Sequence, residues 1–534
     1  MDPQKVNGLD YFLPTKIDDV LWLVNDAVAK SEIICVRGAA HSFPLINTLE
    51  KGSTGRRPYK YVMLSNLYGI KFLENDLVKV DAGCHLGPDP WDPLGVSNKE
   101  NSLLFQLNNK GLALPDLGGI THQTIGGFLS TASSGGSTKF SFEDALMSVD
   151  IVTCEGGVAT LKTFSRPADG NEDDPFYGAA IATMGLFGVI VSATFKCVPK
   201  FYITGDEATT YEADCEINLF GNDITGKDAK PSLETFFKTT DYTRLMWWPQ
   251  EGVHKMVVWK ASQATELQAN AWAKNAYEKR GEEPKLLKPY EEVPYVFNSP
   301  ALATMGADFL FTAIGRWPDW LQELLGDTLE YNVIKTAVDL MFYPLLLPKI
   351  LDIFVTVDKP DNKNKGPQLF ADEWWTGLPM DNQMSDKLMP VWFTEMWIDI
   401  SQSQQVMKDL LDFYNKSTDN TGAFSFEIYP AKSNNFWLSP SYKLDVIRID
   451  VFWFGNNTGD PVKFYQKFWT LLQKYNFLPH WGKYLPDSKG DQGVKYLQAN
   501  YPKWKNWRDL RTQLDPQQVF VNDYWRDHLD IDTP

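Results

Sequence analysis

The sequence predicts an α+β protein of two domains, with an N-terminal domain over residues 1–200, a second domain over 201–475 and a C-terminal segment, 476–534, that completes the first. Three observations carry this reading. The first 200 residues alternate helical stripes with short β-branched runs, joined by many glycine turns. At about Phe201 glycine becomes rarer while Trp and Phe become more frequent. From Phe477 onward a separate polar-aromatic motif precedes a terminal helix pattern.

The elements follow in order. Val20, Leu21, Leu23, Val24, Ala27 and Val28 form an apolar stripe at helical spacing behind Thr15-x-x-Asp18, which resembles a capping box, so a helix is expected over residues 18–30. Ile33 to Val36 is a β-branched run entering the turn Arg37 to Ser42. Short strands are expected near Tyr61 to Leu64, Ile70 to Leu73 and Val78 to Ala82, then a helix near Lys99 to Lys110 stopped by Gly111 in the C′ position. Strands near Ser148 to Cys154 and Gly188 to Cys197 close this part. Gly281 to Pro294 and Asp358 to Pro367 read as loops in the second part. Its strand candidates are Val391 to Ile400, Ala423 to Tyr429 and Val446 to Phe454, the last alternating Val446, Arg448 and Asp450 against Ile447, Ile449 and Val451.

Composition narrows the function. The 534 residues are 43% hydrophobic and include 19 Trp, 22 Tyr and 32 Phe, enough to bury a large core. A net charge of −17 disfavours a phosphate backbone as partner, so no nucleic acid is expected. The five cysteines form no C-x-x-C pair and no metal-ligand spacing, which suggests a reducing compartment such as the cytoplasm and no metal. No signal-peptide pattern opens the chain, and the sequons at Asn415 and Asn456 read as chance matches. The most apolar window, Leu340 to Pro348, is about half the ~18 residues a membrane span needs, so membrane contact is not expected.

The sequence lacks G-x-G-x-x-G, a Walker lysine loop, H-E-x-x-H and G-x-S-x-G, which disfavours a nicotinamide Rossmann fold, a P-loop enzyme, a zincin and an α/β-hydrolase. Four glycine-rich turns remain, at Arg37 to Phe43, Leu117 to Gly127, Thr131 to Ser137 and Met184 to Val191. Backbone N–H groups at such tips can hold a pyrophosphate without basic side chains; alternatively the turns are merely tight reversals.

In order, Arg37-Gly38-Ala39-Ala40-His41-Ser42-Phe43, Val80 to Leu86, Leu114-Pro115-Asp116-Leu117-Gly118, Gln123-Thr124-Ile125-Gly126-Gly127 and Met184 to Ile190 resemble the FAD-binding domain of the vanillyl-alcohol oxidase family. His480-Trp481-Gly482-Lys483, Leu514-Asp515-Pro516 and Phe520-Val521-Asn522 resemble the C-terminus of its aldonolactone and alditol oxidase branch. The resemblance covers about residues 10–200 and 390–530 and implies a two-domain FAD-binding fold with a substrate-binding cap. It places FAD against Arg37, Gly38, Ala39, Ala40, His41, Ser42, Phe43, Gly118, Thr124, Gly126, Gly127, Ser130, Thr131, Ser134, Gly185, Gly188, Val189, Ile190, His480 and Asn522. His41 stands where this branch bonds a histidine nitrogen to the flavin C8α methyl. Pro115 to His122 has no cysteine for a second bond.

On the substrate side, the branch sets a Glu-x-Arg pair and the H-W-G-K lysine over the flavin. Glu395 and Lys483 match, but Trp397 stands in the arginine's place and could instead face a sugar or an apolar substrate. Asp450 is the candidate for a position from which some members present a histidine. His122 and Gln123, just before T-I-G-G, are bulkier than the small residues expected of good oxidases, which leaves dehydrogenase behaviour open. The resemblance therefore implies FAD-dependent oxidation of a CH–OH group of a sugar, sugar lactone or polyol, with oxygen or another molecule as acceptor. Two alternatives stand beside it: oxidation of an aromatic or natural-product alcohol, suggested by the Trp-rich middle, and a flavin-binding carbohydrate module without catalysis.

Overall fold

The computed structural model describes residues 2–42, 51–55, 57–279, 348–349, 355, 357–358, 366–380, 391–416, 425–454 and 460–533. Phe43, the loop 281–294, residues 340–347 of the apolar window and the second sequon lie outside them.

The first part holds two sheets. Strands β1 (Gln4–Val6), β2 (Leu9–Phe12), β3 (Ile33–Arg37) and β4 (Tyr59–Met63) lie in the order β1-β2-β4-β3, the last three parallel. Strands β5 (Ile70–Phe72), β6 (Leu77–Asp81), β8 (Leu146–Thr153), β9 (Thr160–Ser165) and β10 (Val189–Lys196) form an antiparallel sheet ordered β5-β6-β10-β8-β9. A short ladder joins β7 (Leu112–Ala113) to β11 (Val198–Pro199). Helix α1 (Ile17–Lys30) buries Val20, Leu23, Val24 and Ala27, four of the six stripe residues. The residue that closes its first turn is Asp19 rather than Asp18: its carboxylate accepts from the Thr15 and Lys16 amides at 2.9 and 3.2 Å.

The second part is one antiparallel sheet of eight strands among the described residues. Its members are β12 (Tyr202–Tyr211), β13 (Tyr242–Trp248), β14 (Lys255–Ala264), β15 (Gln368–Glu373), β16 (Val391–Asp399), β17 (Phe426–Ala431), β18 (Val446–Phe454) and β19 (Leu478–Pro479), ordered β15-β12-β14-β13-β17-β18-β16-β19. Successive side chains of a strand point to opposite faces. Ile447, Ile449 and Val451 of β18 therefore join Met396 and Ile398 of β16 in a core covered by helices α2 (Ser403–Tyr414) and α3 (Pro461–Leu472). Arg448 and Asp450 face the other way, toward the first part.

That opposite face is docked through hydrogen bonds to backbone carbonyls of the turns. The Thr243 amide donates to Gly136 O at 2.8 Å and the Tyr242 hydroxyl to Pro115 O at 2.6 Å, so the sheet sits on the turns at 115–118 and 131–137. The C-terminal segment returns to the first core. Trp481, Trp504, Trp507, Leu514, Val519, Phe520, Val521 and Trp525 are buried there with Val24, Ile34 and Ile151, and the Ile34 amide donates to Val519 O at 2.8 Å.

Candidate active site

Two rows of side chains cross the sheet face that meets the turns. Strand register pairs Glu395 of β16 with Asp450 of β18, and Asp450 with Glu427 of β17. Two residues along, Trp397 pairs with Arg448 and Arg448 with Tyr429. Directly paired residues share a face, so three carboxyls stand in one row beside a guanidinium between two aromatic rings.

Arg448, which the sequence marks only as one side of an alternating strand, stands at the centre of this face. Its Nε donates to Glu395 Oε1, its Nη2 to the Tyr429 hydroxyl at 2.6 Å, and its Nη1 to Ser134 O and Gly135 O at 3.0 and 3.1 Å. Its carbon centre lies 4.3 Å from the Trp397 ring centroid. The guanidinium expected two residues after Glu395 thus comes from the neighbouring strand. Trp397 is 2% exposed with a face covered by that guanidinium. It does not present an open stacking surface.

The H-W-G-K segment lies at the edge of this face. The His480 amide donates to Glu395 O at 3.1 Å and the Tyr484 amide to Phe393 O at 2.9 Å, so residues 480–484 run along β16. This delivers Lys483 to the carboxyl row, with Nζ 2.6 Å from Glu395 Oε2 and also in contact with Asp450 Oδ2. The Lys483 side chain is 19% exposed, whereas those of Glu395 and Asp450 are at most 1% exposed. Lys483 is therefore the most solvent-open member of this trio. Glu395 has one oxygen on Arg448 and the other on Lys483, which makes it a positioning group for the lysine.

Electrostatics separates the roles. Burial alone would raise the Glu395 carboxyl, but Arg448 and Lys483 outweigh it and hold it well below the usual range. Burial drives Asp450 well above that range, against the opposing pull of Lys483. It would lower Lys483, but Asp450 and Glu395 raise it, so the side chain stays an ammonium. His480 is pushed down to about 3 by burial and is neutral. Its Nδ1 accepts from the Gly482 amide at 3.0 Å, so the proton of the neutral ring resides on Nε2.

The glycine turns interlock beneath this face. The short helix Ile125–Ser130 begins at Thr124, whose hydroxyl accepts from the Gly127 amide. The Ala182 and Met184 amides donate to Leu129 O and Ser130 O at 3.0 and 2.9 Å, fixing the 182–188 turn to it. The first turn comes in from β3, and the His41 and His122 ring centroids are 5.9 Å apart. Behind them His85 Nε2 stands 3.6 Å from Asp89. Ala40, Ala132, Ala182 and Met184 have φ of +64°, +55°, +56° and +51°. Each costs about 1–2 kcal/mol for a residue with a Cβ, and such strain persists where surrounding structure enforces a particular backbone presentation. Strained turns brought to one place fit a bound dinucleotide's pyrophosphate.

Several expected cofactor contacts have other work in this structure. A Cβ on Gly188, at φ +141°, would fall 2.2 Å from Val152 O, so that glycine permits the β8–β10 pairing, and Val189 and Ile190 are buried core residues. The Ser130 and Thr131 hydroxyls donate back to Gly126 O and Gly127 O. Asn522 caps the helix Asp523–Leu529, accepting from the Trp525 amide at 3.0 Å. Arg37 to Ser42, Gln123, Gly126 and Gly185 are partly exposed, and Gly118 and Ser134 are buried. Among the described residues no cluster of side chains could hold a metal ion, and no helix is long and apolar enough to cross a membrane.

The fold is shared with known proteins. The cholesterol oxidase of Brevibacterium sterolicum superposes with a TM-score of 0.66 at 15% identity, over 97% of this chain and 94% of that one. A chitooligosaccharide oxidase gives 0.55 at 13% identity, over 96% and 90%. These likenesses show the fold, a two-domain architecture shared with the oxidases named. Within it, a family model described as D-arabinono-1,4-lactone oxidase matches residues 317–528, reaching into the stretch before 390 where no resemblance was visible. The D-arabinono-1,4-lactone oxidase of Saccharomyces cerevisiae is 25% identical over 49% of this chain and 43% of its own. The L-gulonolactone oxidase of Scyliorhinus torazame is 20% identical over 96% and 93%. The alignment to the yeast relative thus spans less than half of that protein's length, while the shark alignment runs nearly end to end. The chain is thus similar to aldonolactone oxidases, in its C-terminal half by the family model and over most of its length by the shark relative.

Proposed function

We propose that this chain is an FAD-dependent oxidase of aldonolactones or closely related sugar alcohols. The observation that carries the reading is Lys483, a partly exposed ammonium held by Glu395 and Asp450 on the face that meets the strained turns. Arg37 to Ser42, Gly118, Thr124 to Gly127 and Met184 to Gly185 are the backbone cradle for FAD in this reading, with His41 its covalent tether and His122 and Gln123 beside the ring. FAD, when bound, accepts a hydride from the carbon bearing the hydroxyl.

The chain's own residues handle the oxygen atom and its proton. Lys483 donates a hydrogen bond to the hydroxyl oxygen and stabilises negative charge as the O–H bond weakens, an effect typically worth ~10²–10³ in rate. Glu395 and Arg448 hold that ammonium in place. The buried cluster excludes water, which strengthens these interactions. Molecular oxygen is the acceptor we favour, since the relatives are oxidases by name. The division at residues 200 and 475 into FAD domain, cap and returning segment belongs to the same reading.

The test is to purify the yellow protein and follow peroxide formation with a panel of aldonolactones, alditols and aromatic alcohols. Turnover confined to aromatic alcohols would overturn the substrate class. Acid precipitation separates the tether from the family: wild type should keep its flavin in the pellet and His41→Ala should release it. Release by wild type would remove the covalent link alone.

A further inference from the structure

Two buried acids, Glu427 and Asp116, take no part in the chemistry described so far. Glu427 is 6% exposed and stands directly opposite Asp450 on the adjacent strand. Oε1 of Glu427 and Oδ1 of Asp450 have no hydrogen-bond partner among the described residues. Paired positions in a sheet bring Cβ atoms to about 4.5–5.5 Å, where two carboxylates repel. Two donorless oxygens on facing carboxyls are the arrangement that a proton between them relieves.

Glu427 also lines a cavity of about 20 Å³ between the sheet and the turns, together with Asp116, Gly135, Tyr242, Arg244 and Tyr429. That is room for about one water molecule. Asp116 is 2% exposed; its Oδ1 accepts from the Leu117 amide at 2.8 Å, and its Oδ2 has no partner among the described residues. The charged groups around the pair are Glu395, Lys483 and Arg448 on one side and Arg244 on the other, the last with its guanidinium 4.1 Å over Trp259 and donating to Leu378 O.

We propose that Asp450 and Glu427 form a proton store for the oxidation, fed through Lys483, and that a water between Glu427 and Asp116 completes it. This rests on the function proposed above. A Lys483 proton passes to Asp450 of the singly protonated pair, and the amine lone pair so freed takes the substrate O–H proton as that bond breaks, which restores the ammonium. The C–H hydrogen leaves with its electron pair to FAD. Oxygen later takes that electron pair, the hydrogen's proton and the stored proton, forming hydrogen peroxide and returning the acids to their first state. Burial raises both acids, which favours a proton residing between them at neutral pH.

Two measurements decide it. In infrared spectra of the resting holoenzyme at neutral pH, the carbonyl stretch of a protonated carboxylic acid should weaken in Glu427→Gln, and a separate component should vanish in Asp116→Asn. Superimposable wild-type and Glu427→Gln spectra would overturn the store. In anaerobic mixing with an aldonolactone in weak buffer containing a pH indicator, wild type should reduce its flavin with no proton released, while Glu427→Gln should release one per flavin. A wild-type protein that releases a proton in step with reduction refutes storage. If no lactone reduces the flavin, the function reading fails, and the infrared comparison alone decides whether the two acids share a proton.

Discussion

Replacing Arg448 with methionine removes a guanidinium with four recorded bonds and leaves Glu395 buried with Lys483 as its charge partner. Breaking a buried pair from one side typically costs about 3–5 kcal/mol, and that is the loss expected at neutral pH. The pH dependence supplies the sharper test. In wild type Glu395 is held below its unfolded value of about 4.3. Its contribution is therefore fully present above that pH and is lost as pH falls through the folded value. Without Arg448 the effect of burial gains on what Lys483 alone can oppose, and the carboxyl moves up, each unit being worth about 1.36 kcal/mol. Once it passes the unfolded value, the carboxyl contributes stability below about pH 4.3 that is lost as pH rises. The penalty should thus be largest at neutral pH and shrink toward pH ~4. Guanidinium denaturation at both pH values, followed by fluorescence of Trp397 and its neighbours, measures this. A loss under about 1 kcal/mol, or one equal at both pH values, would refute the claim that Arg448 holds an ionised Glu395.

Lys483→Met should keep the flavin spectrum and slow flavin reduction by ~10²–10³, read by anaerobic stopped flow. Trp397→Arg alone sets a second guanidinium opposite Arg448 and should lower the melting temperature, while the swap Trp397→Arg with Arg448→Trp should recover part of it; equal melting temperatures would break the cross-strand argument. Gly126→Val should lose FAD, measured as the ratio of visible to protein absorbance, because even a Cβ there lies 3.3 Å from Ala82 O. Gly185→Val is the weaker test, since its φ of +73° strains any side chain whether or not FAD is bound.

Much of this was legible along the chain because it depends on local pattern. The stripe of α1, the β-branched entry to the Arg37 turn and the alternation of Arg448 and Asp450 against Ile447, Ile449 and Val451 match the elements and faces observed. What stayed hidden depends on register between strands. Nothing in residues 446–454 says that Arg448 will oppose Trp397, 51 positions away, or that Glu427 will complete a row begun by Glu395. An aromatic two residues after Glu395 therefore reads as a face for a sugar or an apolar substrate, whereas the structure sets a guanidinium against it from the next strand. Two adjacent aspartates, Asp18 and Asp19, fit the cap to within one residue in the sequence, and only the N-cap at Lys16 selects Asp19. The motif match at Glu395 likewise says nothing of the two ion pairs that hold both its oxygens.

The bond from Ile34 to Val519, with those from Arg57 to Gln517 O and Gln518 O and from Cys154 to Leu514 O, has a consequence for biosynthesis. Strands such as β3 are tied to residues translated hundreds of positions later. At ~5–20 residues per second, roughly 15 to 60 s separate the emergence of β10 from that of Leu514. Through that interval the nascent N-terminal part exposes the apolar surface that Trp504, Trp507 and Trp525 later cover, so it is a client for holding chaperones and a target for proteases. Arrested chains ending before Val519 should remain protease-sensitive, and those extended past Leu529 should not.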